Sequence, residues 1–177
     1  MGFFDTLIDL YKRLREAREE RIAKQFEERA NRGKTFVHDD FFGKMEYKKG
    51  DEYLGNSYRA DYYEPQFKKQ ISVLIESDTS AIINEQKELY KLIVNRFEEL
   101  ESKMFENLSH KIAITLEEFH SNFEFFQIII NKPSLNKRRW FASYGHIKEF
   151  DYHYLGFSFE EFEIVEVVII NNKGEEI

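Results

Sequence analysis

Hydrophobic and polar residues alternate along three stretches between residues 35 and 76, and we interpret these stretches as strands. They cover residues 41–47, 58–64 and 70–76, where residues two apart would share one face of a sheet. Gly50, Gly55 and Pro65 fall between them, at positions that favour turns. The pattern therefore predicts an antiparallel meander in which each strand pairs with the next.

After residue 80 the spacing of apolar residues changes from two to the helical three or four. Asp78, Thr79 or Ser80 is placed to cap the start of this predicted helix. Asn107 and Ser109 weaken the pattern, which leaves open whether residues 82–123 form one kinked helix or two helices. The apolar stripe consists of Ile82, Leu89, Ile93, Phe97, Leu100, Met104, Leu108, Ile112, Leu116, Phe119 and Phe123.

Strand-like patterns return after Pro133, over residues 140–144, 152–159 and 162–170. The last stretch is apolar on both faces near its end, which predicts a central strand of the sheet. We expect residues 35–177 to form a single α+β domain. Its predicted architecture is a mainly antiparallel sheet of about six strands packed against one or two long helices, with an appended N-terminal helix.

Residues 1–34 are interpreted as that N-terminal helix, which Gly33 would end. Charged residues dominate from Lys12 onward, so the apolar stripe is confined to the first half. This stripe could dock on residues 35–177, on a second copy in a homodimer, or on a membrane surface. It consists of Phe3, Leu7, Leu10, Tyr11 and Leu14.

A length of 177 residues with 42% hydrophobic side chains is enough for one buried core without covalent cross-links. The chain contains no cysteine, which excludes disulfides, thiol catalysis and cysteine-ligated metal centres. Neither a secretory signal pattern nor an apolar run of about 20 residues occurs. These features lead us to expect a cytoplasmic protein.

The charge is uneven along the chain. Residues 1–34 contain nine basic and seven acidic side chains, and the remaining residues contain 17 basic and 26 acidic ones, a net charge of −9. An acidic body is repelled by phosphate backbones, so we expect no direct nucleic-acid binding. The single locally basic run, Lys137 to Arg139 before Trp140, is read as the start of a strand.

Candidate catalytic chemistry is sparse. His38, Asp39 and Asp40 place an imidazole beside two carboxylates in the sequence, where a carboxylate site for a hydrolase or transferase could form. Adjacent strand residues point to opposite faces, however, so a carboxylate that caps the turn is the favoured interpretation. None of the five histidines has the spacing of a metal site, and no phosphate-binding loop or nucleophile motif is present. We predict no cofactor and no metal.

Tyrosines and carboxylates cluster in the predicted hairpin region, and this combination favours protein binding. Tyrosine supplies a large rigid contact area with a polar tip, and carboxylates attract a basic partner. The predicted partner-binding residues are Asp39, Asp40, Asp51, Glu52, Tyr53, Tyr58, Asp61, Tyr62, Tyr63 and Glu64.

The run from His38 to Gly43, with Asp39, Asp40, Phe41 and Phe42 between them, resembles the opening of uncharacterised bacterial domain families grouped with polymorphic-toxin immunity proteins. Residues 71–76 and 83–90 are similar to the strand and first helix of those domains, so the resemblance spans roughly residues 36–100. It implies an immunity protein that binds and neutralises a basic toxin. The alternatives are an enzyme with a carboxylate site near Asp39 and Asp40, and a peripheral membrane adaptor that uses the N-terminal helix.

Overall fold

The computed structural model describes residues 31–50, 55–79, 81–133, 137–147 and 152–177, together with Glu20, Arg21 and Lys24, which are helical. The chain divides into two compact units, Met1–Lys34 and Thr35–Ile177. Most of the predicted N-terminal helix lies outside the described residues, and so do the predicted partner-binding residues Asp51, Glu52 and Tyr53.

The described part of Thr35–Ile177 contains eight strands and three helices. The strands are β1 Thr35–Asp39, β2 Gly43–Lys48, β3 Asn56–Glu64, β4 Lys69–Ser77, β5 Phe123–Ile130, β6 Arg139–His146, β7 Tyr152–Glu160 and β8 Glu163–Asn171. The helices are α1 Asn84–Asn95, α2 Phe97–Ser109 and α3 Leu116–Asn122. All eight strands form one sheet in chain order from β1 to β8.

Every neighbouring pair in the sheet is antiparallel except β4 and β5, which run parallel. Parallel strands need a long crossover, and the three helices between β4 and β5 supply it. The described part of Thr35–Ile177 thus forms a single mixed sheet of eight strands with three short helices. The expectation of about six strands against one or two long helices was wrong.

Two strands account for the difference in strand number. The segment between residues 35 and 48 is itself a hairpin, β1 and β2, rather than one strand. The strand β5 begins at Phe123, where the helical stripe was expected to continue. Its residues Ile128, Ile129 and Ile130 are β-branched, which favours a strand, and an irregularity between Phe125 and Gln127 breaks its alternation.

The helical segment divides in a way that the stripe did not predict. Arg96 interrupts it, so that α1 ends at Asn95 and α2 begins at Phe97. A capping box starts α3, since Thr115 Oγ1 accepts from the Glu118 amide at 3.2 Å and Glu118 Oε2 accepts from the Thr115 amide at 2.8 Å. The residue that precedes α1 is Ile83, several residues beyond the caps predicted at Asp78, Thr79 or Ser80.

The hydrophobic core lies between the helices and one face of the sheet, here called the helix face. Buried residues of α1 and α2, among them Ile93 and Met104, pack there with Trp140 and Phe159, whose rings stack at 3.9 Å. Side chains of intervening strand residues point away from the helices, onto what we call the distal face. The distal face carries Arg59, Asp61, Tyr63, Leu74, Ile129, Phe141, Ser158 and Glu166.

The strand β8 lies at an edge of the sheet, so its predicted central position was wrong. The apolar residues on its second face, Val168 and Ile170, lie on the distal face instead of beneath a further strand. A single bridge from Ile170 to Glu176 adds a short pairing at its outer side.

Candidate functional site

The carboxylate of Asp39 is fully engaged in holding the β1–β2 turn. Its Oδ1 accepts from the amides of Phe41 at 2.9 Å and Phe42 at 3.0 Å, and its Oδ2 lies 2.8 Å from Lys87 Nζ on α1. Burial raises the pKa of Asp39, but the hydrogen bonds from Lys87 and the two amides outweigh it, and the net pKa is lowered. Asp40 is exposed in the turn.

Alternation along β3 separates the remaining predicted residues onto two faces. Tyr58 is buried on the helix face, where it packs against Tyr47 and donates to the Thr79 carbonyl at 3.3 Å. Asp61 and Tyr63 lie on the distal face, and Tyr63 is 53% exposed. The predicted residues of β3 therefore do not share one face, and the role of the predicted residues in partner binding stays a prediction.

The other two predicted residues of β3 belong to a buried hydrogen-bond chain that the sequence did not reveal. Tyr62 donates to the Tyr90 hydroxyl, and Tyr90 donates to Glu64 Oε2 at 2.6 Å. Burial, with the nearby Glu64 carboxylate, raises the pKa of Tyr62 to about 12 and raises that of Tyr90 further. These hydrogen bonds link α1 to β3, and the Tyr90 hydroxyl is a donor to the buried Glu64 carboxylate.

A second polar cluster links α2 and α3 to β6. The Tyr144 hydroxyl donates to Glu101 Oε1 at 2.9 Å, and Glu101 Oε2 lies 3.6 Å from His120 Nε2. Burial is the main cause that holds the Tyr144 pKa well above its usual value, so the phenol stays protonated. These contacts fasten α2 and α3 to the sheet.

The described part of the chain contains no group of three or more histidine, aspartate or glutamate side chains that could hold a metal. His146 and His153 do lie together, with ring centres 4.8 Å apart, while the neighbouring Asp151 lies outside the described residues. Among the described helices, none is long and apolar enough to cross a membrane.

One row of directly paired residues crosses the distal face from β3 to β8. It runs Arg59, Leu74, Ile129, Phe141, Ser158, Glu166. The centre of this row is apolar and its two ends are charged. Leu74, Ile129 and Phe141 are only partly buried, and Phe126 and Val165 add exposed apolar surface at 39% and 57%. The distal face thus presents an apolar strip on the side of the sheet opposite α1, α2 and α3.

A groove of about 670 Å³ lies along this strip between β4 and β8 and has Ile129 and Phe141 in its lining. Its charged lining includes Glu76, Arg139, Glu160 and Glu166. Glu160 is held by Arg139 and, at 2.6 Å, by Lys137. In the described part of the chain, Glu76 and Glu166 pair with no cation: Glu76 accepts from Asn131 at 3.2 Å and Glu166 from Ser158 at 3.2 Å.

Comparisons with protein-family models, with curated proteins and with solved structures found no match to this chain. The resemblance of residues 36–100 to immunity-protein families therefore stays a prediction. The distal-face strip was missed because it needs β5 as a strand: only then do Ile129 and Phe141 become neighbours. The β-branched run 128–130 was the signal in the sequence that could have revealed it.

Proposed function

We propose that this chain is a non-enzymatic, cytoplasmic protein-binding domain, an immunity protein that binds and neutralises a basic toxin. The observation that carries the proposal is the apolar strip of the distal face, with carboxylates around it. Exposed apolar patches rimmed by polar side chains are typical of protein interfaces. Asp39, the strongest candidate for a catalytic carboxylate, is occupied by its turn and by Lys87.

The charge supports a basic partner. The unit that carries the distal face has 26 acidic and 17 basic side chains. Exposed Asp61 and Glu166 and the half-buried Glu76 lie around the strip. Arg59, the basic residue at its β3 end, is already paired with Asp61 at 3.1 Å. Such a surface repels acidic proteins and accelerates encounter with basic ones.

Co-expression with a toxin domain encoded beside this chain tests the proposal. We expect a stable complex and loss of the toxin's activity. A variant with Asp61→Lys, Glu76→Lys and Glu166→Lys should lose both, whereas a control with Glu98→Lys, Glu106→Lys and Glu117→Lys should retain both. The control residues are exposed carboxylates on α2 and α3, so the change in net charge is the same.

Failure of the native chain to form the complex, or to reduce the toxin's activity, would contradict the immunity proposal. Equal loss in the two triple variants would show that total charge matters and the distal face does not.

A further inference from the structure

The groove on the distal face has a shape that limits what can occupy it. Glu76 lies on β4 and Glu166 on β8, so the two carboxylates stand on strands that are four inter-strand spacings apart. At about 4.8 Å per spacing, the two backbones are about 19 Å apart. An α-helix with its side chains is about 10–12 Å across. The interval between the two glutamates therefore admits one helix with room for long side chains on either side.

The floor of the groove is apolar. Ile129 and Phe141 are directly paired across β5 and β6. The Phe141 ring lies against the backbone of Gly156, where a Cβ would be 2.3 Å from the ring Cζ. An aromatic floor of this kind suits the apolar face of a helix, as in helix-in-groove complexes.

The charge along the two sides of the groove determines which side chains a bound helix would carry on its flanks. The two glutamates have no cation partner in the described part of the chain, whereas Glu160 at the end of the groove is already neutralised by Lys137 and Arg139. Lysine or arginine on both flanks of an amphipathic helix would place a positive charge near each free carboxylate.

We propose that this groove binds an amphipathic helix of the partner protein, with its apolar face on Ile129 and Phe141 and basic residues reaching Glu76 and Glu166. The inference rests on the proposed function, because it names the part of the partner that the distal face recognises.

The test uses the full chain and a fluorescent helical peptide with a leucine stripe flanked by lysine and arginine. Fluorescence anisotropy should show binding of this peptide, but not of a scrambled peptide of equal composition or of one with glutamate in place of the basic residues. The double variant Glu76→Gln and Glu166→Gln should weaken binding by about tenfold. The matched control, Glu98→Gln with Glu106→Gln, should bind like the native chain.

Three results of the peptide assay would overturn the inference. The first is equal binding of the scrambled peptide, which would show adsorption by charge alone. The second is equal binding by the two glutamine variants, which would place the peptide elsewhere. The third is no binding of the basic peptide at about 1 mM.

If the toxin complex still forms in any of these cases, the proposed function stands without the helix. Self-association of the chain that Phe141→Ala abolishes would assign the groove to a second copy and also overturn the inference.

Discussion

The ring of Phe141 on β6 lies over Gly156 on β7, diagonally across the pair. A Cβ built at position 156 would come within 2.3 Å of the ring Cζ and 3.1 Å of its Cε1. Glycine therefore permits the ring to occupy this position on the distal face, where it lines the groove.

Gly156→Ala should displace this ring and cost about 1 kcal/mol of stability, because the ring can move but its packing is lost. Binding of the helical peptide should weaken. Gly145→Ala is the control, since a Cβ there would meet Phe126 at an ordinary 3.6 Å. Urea unfolding and peptide anisotropy on both variants provide the comparison. Native-like peptide binding by Gly156→Ala would show that the position of the Phe141 ring is unimportant.

Two buried serines of the distal face differ in their hydrogen bonding. Ser72 Oγ has no partner among the described residues, while Ser143 Oγ lies 3.0 Å from the Tyr154 hydroxyl. Ser72→Ala should raise the free energy of unfolding by about 1 kcal/mol, because it removes a buried hydroxyl without a partner. Ser143→Ala should lower it by a similar amount. Chemical denaturation of both variants measures these changes. An equal loss of stability in Ser72→Ala and Ser143→Ala would contradict the prediction.

Asp39→Asn should reduce stability at neutral pH by about 1–3 kcal/mol, since it removes a carboxylate that accepts from two amides and Lys87. The folded-state pKa of Asp39 is lowered, so its contribution is complete above the unfolded-state pKa of about 3.9 and is lost as the pH falls through the folded-state value. The difference in free energy of unfolding between the native chain and Asp39→Asn should therefore narrow below about pH 4.

Asp40→Asn is the matched control for that series, because Asp40 is exposed beside it. Its effect should stay within about 0.5 kcal/mol at every pH. Urea unfolding from neutral to acid pH measures both variants. If the loss of unfolding free energy in Asp39→Asn is the same at every pH, the charge of Asp39 contributes nothing to the stability of the turn.

The orientation of α1 can be tested at two adjacent residues. Ile93 is completely buried and Leu92 is 38% exposed. Ile93→Ala should cost about 2–5 kcal/mol, and Leu92→Ala about 0.5 kcal/mol or less. Thermal or chemical unfolding measures the difference, and equal losses would show that α1 is rotated from the orientation described.

Strand positions with strict alternation were predictable from the sequence. The strands β3 and β4 lie where Tyr58, Ala60 and Ile71, Val73 alternate with polar residues. The strand β5 was not predictable in this way, because Phe119 and Phe123 continue the helical spacing up to its first residue. Local pattern alone does not distinguish a short helix followed by a buried strand from a longer helix.

The candidate site was harder to predict than the strands. Alternation shows that Tyr62 and Tyr63 point to opposite faces, but it does not show which face the helices cover. The partners of Tyr62 lie on α1 and at the end of β3, and only the folded arrangement brings Tyr90 and Glu64 together. The distal-face row likewise depends on the pairing of six strands, which no single stretch of sequence contains.

Binding of a basic partner to the distal face can be measured by stopped-flow association with the toxin domain. Rate constants would be measured from about 50 to about 500 mM salt for the native chain, the triple variant at Asp61, Glu76 and Glu166, and the control triple variant at Glu98, Glu106 and Glu117. We expect the distal-face variant to associate at least about tenfold more slowly at low salt, with the deficit shrinking as salt rises, and the control to remain close to native. Rates that do not depend on salt, or equal slowing of both variants, would contradict binding at the distal face.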